Sequence, residues 1–186
     1  MRSSFSSDSL MENNVARSAR IGYKTDMTEQ EKQAIGKALG RVPSGVFILT
    51  AKHNDQATAM MASWVQQASF DPPTISVAIA KQRPIAELIR ASKRLALSIV
   101  PNADKTLMKR YAKAKPGDDP FAGANTKLAP SGVPILADAL AFLDCELIQI
   151  VDFDGDHDLY IAKITAAESL RDGEAFNHQR GNAFHY

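Results

Sequence analysis

From residue 28 onward the hydrophobic positions recur with periods that define local structure. Ala34, Ile35, Ala38 and Leu39 form one helical stripe. Thr28 and Glu31 stand at the spacing of a capping box, in which each side chain bonds an amide near the other. Gly40 follows the stripe and is positioned to supply a left-handed residue past the helix end. The pattern then turns to strands. Gly45 to Ala51 is apolar and β-branched, His53 to Gln56 is a polar turn, and Thr58 to Ala68 is a second strand. Asp71, Pro72 and Pro73 interrupt any ladder. Thr74 to Ala80 alternates, with Ile75, Val77 and Ile79 on one face.

Pro84 opens a short helix to Ser92, with proline tolerated in the first turn. Leu95 to Val100 is the next strand. Asn102 or Asp104 can cap a basic helix that runs to about Lys115 and stops before Pro116. Residues 116 to 134 carry four prolines and three glycines and read as a loop. Leu140 to Val151 and Leu159 to Ala167 are the last strands, joined through Asp154, Gly155 and Asp156. Six strands with only short helices between them argue against a doubly wound sheet. The expected fold is mainly β, a closed or nearly closed barrel that removes exposed edges.

Residues 1 to 26 differ from the rest. They are rich in serine and polar groups without a sustained apolar period, and read as a disordered arm. Serine and arginine also fit a targeting segment, a reading weakened by Asp8, Glu12 and Asp26. Residues 27 to 186 form the folded domain. The expected location is the cytoplasm, or a plastid if the arm is a transit peptide.

The formal net charge is +1, which provides no field for nucleic acid, and no apolar run is long enough to span a bilayer. Cys145, the one cysteine, lies in an apolar run and reads as a small buried hydrophobe. The four histidines, His53, His157, His178 and His185, show no trustworthy metal-ligand spacing. Asp154, Asp156, His157 and Asp158 cluster, but a solvated turn explains them better than a metal. Hydrolase elbow, P-loop and Rossmann fingerprint are all absent.

Two places invite chemistry. Lys81, Gln82, Arg83 and Pro84 join a strand end to a helix start, where cations and free amides converge as a phosphate needs. In Ala59 to Val65, small residues beside a strand would let a flat ring approach, with Ser63 and backbone amides to meet its polar edge. A packing tryptophan in a core strand is the plainer reading of that stretch.

Met60 to Pro73, MMASWVQQASFDPP, resembles the flavin-reductase-like FMN-binding split-barrel family. So does Gly155-Asp156-His157 with the strand Leu159 to Ala162. Ala38 to Arg41, Asp119 to Gly123, and Asn177 to Arg180 with Tyr186 are similar to one subgroup, the C-terminal flavin-reductase module of cyanobacterial and plastid diflavin (flavodiiron) proteins. The likeness covers roughly residue 33 to the end. It implies a Greek-key split barrel, a homodimer with FMN near the subunit interface, and hydride transfer from NADH or NADPH to the flavin. It implies that Met60, Met61, Ala62, Ser63 and Trp64 line the isoalloxazine and that Ser69 joins the cofactor site. Lys81, Gln82, Arg83 and Pro84 would hold the phosphate end, and His157 would act near the reacting rings. Met61 departs from the threonine of many relatives, which removes a hydroxyl contact. The diiron and flavodoxin-like domains that come first in whole diflavin proteins have no counterpart in these residues, so oxygen reduction at a diiron centre is not expected of them. Two other readings remain open: a flavin module fed by a protein partner without nicotinamide, and a non-catalytic split-barrel binder of haem or another cofactor.

Overall fold

The structure, a computed structural model, describes residues 27–102, 105–112, 118–181 and 184. The N-terminal arm, Asp104 and the far end of the basic helix lie outside the described residues.

The first element, α1 (Glu29–Leu39), begins with the capping box read from the sequence. The Thr28 hydroxyl accepts from the Glu31 amide at 3.2 Å, and the Glu31 carboxylate accepts from the Thr28 amide at 2.8 Å. Thr28→Ala should cost about 0.5–2 kcal/mol of local helix stability, measurable as faster amide exchange across the first turn of α1. Gly40 corrects an expectation: it is right-handed, with φ −61°. Close approach explains a glycine here instead. A Cβ would lie 2.4 Å from the Arg180 carbonyl oxygen, and the Arg180 amide donates to Gly40 O at 3.2 Å.

The chain continues through β1 (Ser44–Gly45), β2 (Phe47–His53), β3 (Gln56–Ala62), β4 (Val65–Phe70) and β5 (Pro73–Ala80). Then come α2 (Pro84–Ser92), β6 (Arg94–Ile99) and α3 (Lys105–Ala112). Two short strands, β7 (Thr126–Leu128) and β8 (Pro134–Leu136), form a small hairpin that begins inside the stretch read as loop and runs just past its end. The long pair β9 (Ala141–Asp152) and β10 (His157–Ser169) follows, and β11 (Asn177–His178) closes back on β1.

Seven strands form one antiparallel sheet in the order β3–β2–β6–β9–β10–β5–β4. Its two edges, β3 and β4, are consecutive in sequence. Only Ser63 and Trp64 separate them, so the edges must meet at that corner. The sheet therefore curls into a barrel that is split along one seam. The single strand expected from Thr58 to Ala68 is in fact these two edge strands, broken at the corner. Bulges in the β9–β10 ladder, at Ile161/Ala162 and Ile164/Ala166, supply the bend that closure requires.

The barrel interior is the main core. Leu49, Val77, Ile79, Leu97 and Tyr160 are fully enclosed there. Ile75, Val77 and Ile79 share that inner face of β5, as the alternation predicts. Outside the sheet, Val46, Ile48 and Val100 pack with Leu107 and Tyr111 of α3 and Leu136 of β8. Strand β2 is thus buried on both faces. Two buried hydroxyls in its neighbourhood, those of Thr50 and Ser98, are both used. The Thr50 hydroxyl donates to Pro134 O at 2.6 Å, and Ser98 Oγ accepts from the Leu136 amide at 3.0 Å. Both tie β8 to the barrel.

Helix α2 ends as the sequence indicates, after Ser92, but with Lys93 in the left-handed conformation at φ 58°. No described helix is long and apolar enough to cross a membrane.

Candidate cofactor site

The seam between the sheet edges opens into a cleft of about 310 Å³. Its wall is made from β3 and the corner, with Met60, Met61, Ala62, Ser63 and Trp64. Facing them are Ala78 and Ala80 of β5, Arg83 and His157, and Tyr111 completes the lining. The period of β5 produces this division. Val77 and Ile79 point into the core, so Ala78 and Ala80 must face the other way, into the seam. Small side chains there leave room for a flat molecule beside the backbone. The corner itself is fixed by the Ala78 amide donating to Trp64 O at 3.0 Å.

Trp64 and His157 stand against each other, with ring centroids 4.8 Å apart and planes tilted by 46°. His157 is buried, and its Nδ1 lies 2.9 Å from Asp156 Oδ1. The hydrogen bond to His157 holds the exposed Asp156 carboxyl below its ordinary pKa. Behind this pair lies a second cleft of about 370 Å³, bordered by Leu39, Val42, Ser44, Arg180 and Phe184. Arg180 sits over the Trp64 ring, 5.2 Å from its centroid. Trp64 and His157 border both clefts, so they form the partition between them.

The structure brings together seven of the eleven residues singled out from sequence: Met60, Met61, Ala62, Ser63, Trp64, Arg83 and His157. Ser69 lies toward the far end of β4, paired with Thr74, and does not line the cleft. Neither does Lys81. Its ammonium is 2.8 Å from Asp152 Oδ1 and 3.7 Å from Asp158 Oδ1. The hydrogen bond to Asp152 raises the lysine above its usual pKa and lowers the partner carboxyl. Gln82 is exposed in the turn, and Pro84 occupies the first position of α2. Arg83 is the N-cap residue of α2. Its guanidinium has only donors and cannot cap the helix amides, and Arg83 borders the cleft.

The acidic run after β9 is a turn. Asp152 accepts from the Asp154 amide at 2.8 Å as well as from Lys81, and Asp154 takes a positive φ of 61°. Among the described residues no group of three His, Cys, Asp or Glu side chains converges as a metal would require.

Asp158 has a structural task. Its nearly buried carboxylate meets Arg90 of α2 at 2.6 Å, and Arg90 also lies 5.6 Å from the Tyr160 ring centroid. This clamp joins α2, which follows Arg83, to β10, which starts at His157. Arg90→Ala leaves the buried carboxylate with only its longer contact to Lys81 and should destabilise the protein by about 2–3 kcal/mol, somewhat below the usual cost of breaking a fully buried pair because Arg90 is partly exposed. Lys81→Ala should cost clearly less in the same denaturant titration.

Sequence reasoning did not single out Ala78, Ala80 or Tyr111. The two alanines were legible as the off-phase positions of β5. Tyr111 was not, because nothing local says that α3 packs against β3.

A bulged antiparallel sheet whose edges meet at one corner, with a cleft in the seam, is a split β-barrel of the flavin-reductase type. The chain belongs to the flavin reductase like domain family, which matches residues 39–185. It is 41% identical over 143 residues to a putative diflavin flavoprotein A 3 of Nostoc sp., covering 73% of this chain and 25% of that one. The chain thus spans about a quarter of the length of that relative. Its fold is similar to the crystal structure of a nitrilotriacetate monooxygenase component B homologue from Mycobacterium thermoresistibile. The TM-score is 0.74 at 25% identity, over 82% of this chain and 84% of that one. It is also similar to an FMN-binding protein from Thermus thermophilus, with a TM-score of 0.64 at 26% identity, over 70% and 72% of the two chains.

Proposed function

We propose that the chain is an NAD(P)H:flavin oxidoreductase that binds FMN in the seam cleft and passes electrons to a downstream acceptor. One observation carries this reading: the cleft combines a wall of small residues, an indole–imidazole pair and an uncommitted guanidinium in one seam. That set fits a flat ring joined to a phosphate. The volume lies within the usual range for small-molecule sites. The FMN-binding protein of similar fold supports FMN as the flavin.

Bound flavin would supply the redox chemistry, accepting hydride from a reduced nicotinamide. The chain's own residues bind and orient. Ala62, Ala78 and Ala80 leave the slot open, and Met60, Met61 and Trp64 bound it with apolar surface. Arg83, at the start of α2, neutralises the phosphate together with the helix amides. His157 is held by Asp156 and by the face of Trp64, so its ring has a fixed place in the partition. There it can orient the reacting rings and offset negative charge on the reduced cofactor.

His157→Ala should therefore keep FMN but lower the single-turnover rate of NAD(P)H oxidation. Loss of FMN with an unchanged rate per bound flavin would reverse that assignment. The reading as a whole is tested by the visible spectrum of the protein with FMN, followed by steady-state oxidation of NADH and NADPH. A flavin spectrum without nicotinamide oxidation would leave a module fed by a protein partner.

The proposal includes a homodimer. Phe70 at the β4–β5 turn is 90% exposed, and Ile148 and Phe153 on and beside β9 are each 56% exposed. Large apolar groups so placed fit burial against a second copy. Sedimentation of the full chain checks this, and a monomer at micromolar concentration would refute it.

A further inference from the structure

Tyr111 carries a hydroxyl that the fold leaves without a partner. Leu107 and Tyr111 are four residues apart on α3 and point together into the outer core, against Val46, Ile48 and Val100. Phenylalanine would fill that place with no polar atom to desolvate. Tyr111 is only 6% exposed, yet its hydroxyl has no hydrogen-bond partner. Buried polar groups are rarely left in that state without a reason. Among the described residues, four buried side-chain atoms lack a partner: Ser44 Oγ, Tyr111 Oη, Asp158 Oδ1 and Tyr160 Oη. Asp158 is served by Arg90 and Lys81 as an ion. Tyr160 lies wholly inside the barrel, and Ser44 borders the second cleft. Tyr111 alone of the four lines the seam cleft.

We propose that Tyr111 is a ligand-contact residue, whose hydroxyl donates a hydrogen bond to an acceptor on the ring or ribityl part of the flavin bound in the seam. The inference rests on the flavin reading above and goes beyond it, because it names a contact from a helix outside the barrel. The phosphate end is assigned to Arg83 at the start of α2. Tyr111 instead comes from α3, which packs on β3 and so reaches the wall formed by Met60 to Trp64. Burial pushes the phenol above its ordinary pKa, so it keeps its proton and remains a donor at neutral pH.

The test is Tyr111→Phe, which removes one oxygen and keeps the packed ring. FMN and riboflavin affinities are read from quenching of flavin fluorescence, and thermal midpoints are read without flavin. The variant is expected to bind both FMN and riboflavin about threefold to tenfold more weakly. Its midpoint without flavin should be equal or higher, since an unpartnered buried hydroxyl has been removed. Unchanged affinity for both flavins overturns the proposal. A loss for FMN alone also overturns it, because the hydroxyl would then meet the phosphate. A lowered midpoint with unchanged affinity assigns the hydroxyl to the fold instead. If the parent protein binds neither flavin, the flavin reading itself fails, and this outcome is distinct from the other three.

Discussion

Replacing Arg83 with alanine is expected to weaken FMN binding by about 1.5–3 kcal/mol, the usual worth of a hydrogen bond to a charged group. The expectation follows from where the two neighbouring cations go. Lys81 is committed to Asp152 and Asp158, while Arg83 borders the cleft. A guanidinium at a helix start also pairs with phosphate in a forked geometry that an ammonium lacks. Riboflavin has no phosphate, so its affinity should be nearly the same for parent and variant. Arg83 is exposed, so the FMN effect should shrink as salt is raised. Lys81→Ala is the control and should change FMN affinity little. An Arg83 variant that binds FMN as tightly as the parent would place the phosphate elsewhere.

The largest loss of stability should come from the barrel interior. Leu97 is fully buried on β6, a strand paired on both sides. It stands opposite Leu49 on β2 and opposite Leu143 on β9, so one row of leucines crosses three strands. Leu97→Ala opens a hole that these neighbours cannot fill without moving their strands. It should cost about 2–5 kcal/mol in a denaturant titration, the usual range for a core leucine. FMN affinity of the folded fraction should change little, because Leu97 does not line the seam. A cost below about 1 kcal/mol, hardly more than a single buried methylene contributes, would mean that the row relaxes freely.

The parts of this fold that were legible share a physical cause. Strand β5 alternates because one face is core, and helix α2 is marked at both ends by Pro84 and by the change of period after Ser92. The broken strand at Ser63 was illegible because Thr58 to Ala68 keeps its β character through the corner. Only the meeting of β3 and β4 at opposite edges of the sheet shows why the ladder must stop there. The β7–β8 hairpin has three residues in each strand and is held by Thr50 and Ser98 from other parts of the chain. No local pattern encodes that. The seam wall from Met60 to Trp64 was found through a motif. The difference between Lys81 and Arg83 was not, because it depends on Asp152 and Asp158, some seventy residues away, across a sheet register. Tyr111 and Arg180 also reach the site by packing across distant stretches of chain.

Trp64 is the only tryptophan in the chain, and it stands in the partition between the two clefts. Under ultraviolet light the molecule therefore has a single indole emitter, built into the wall that a ligand must approach. An occupant of the seam that absorbs where indole emits would drain that emission by resonance transfer. An occupant of the second cleft would act on the other side, by displacing Arg180 from the indole face. Both chambers can thus be followed optically, without a label and without added dye.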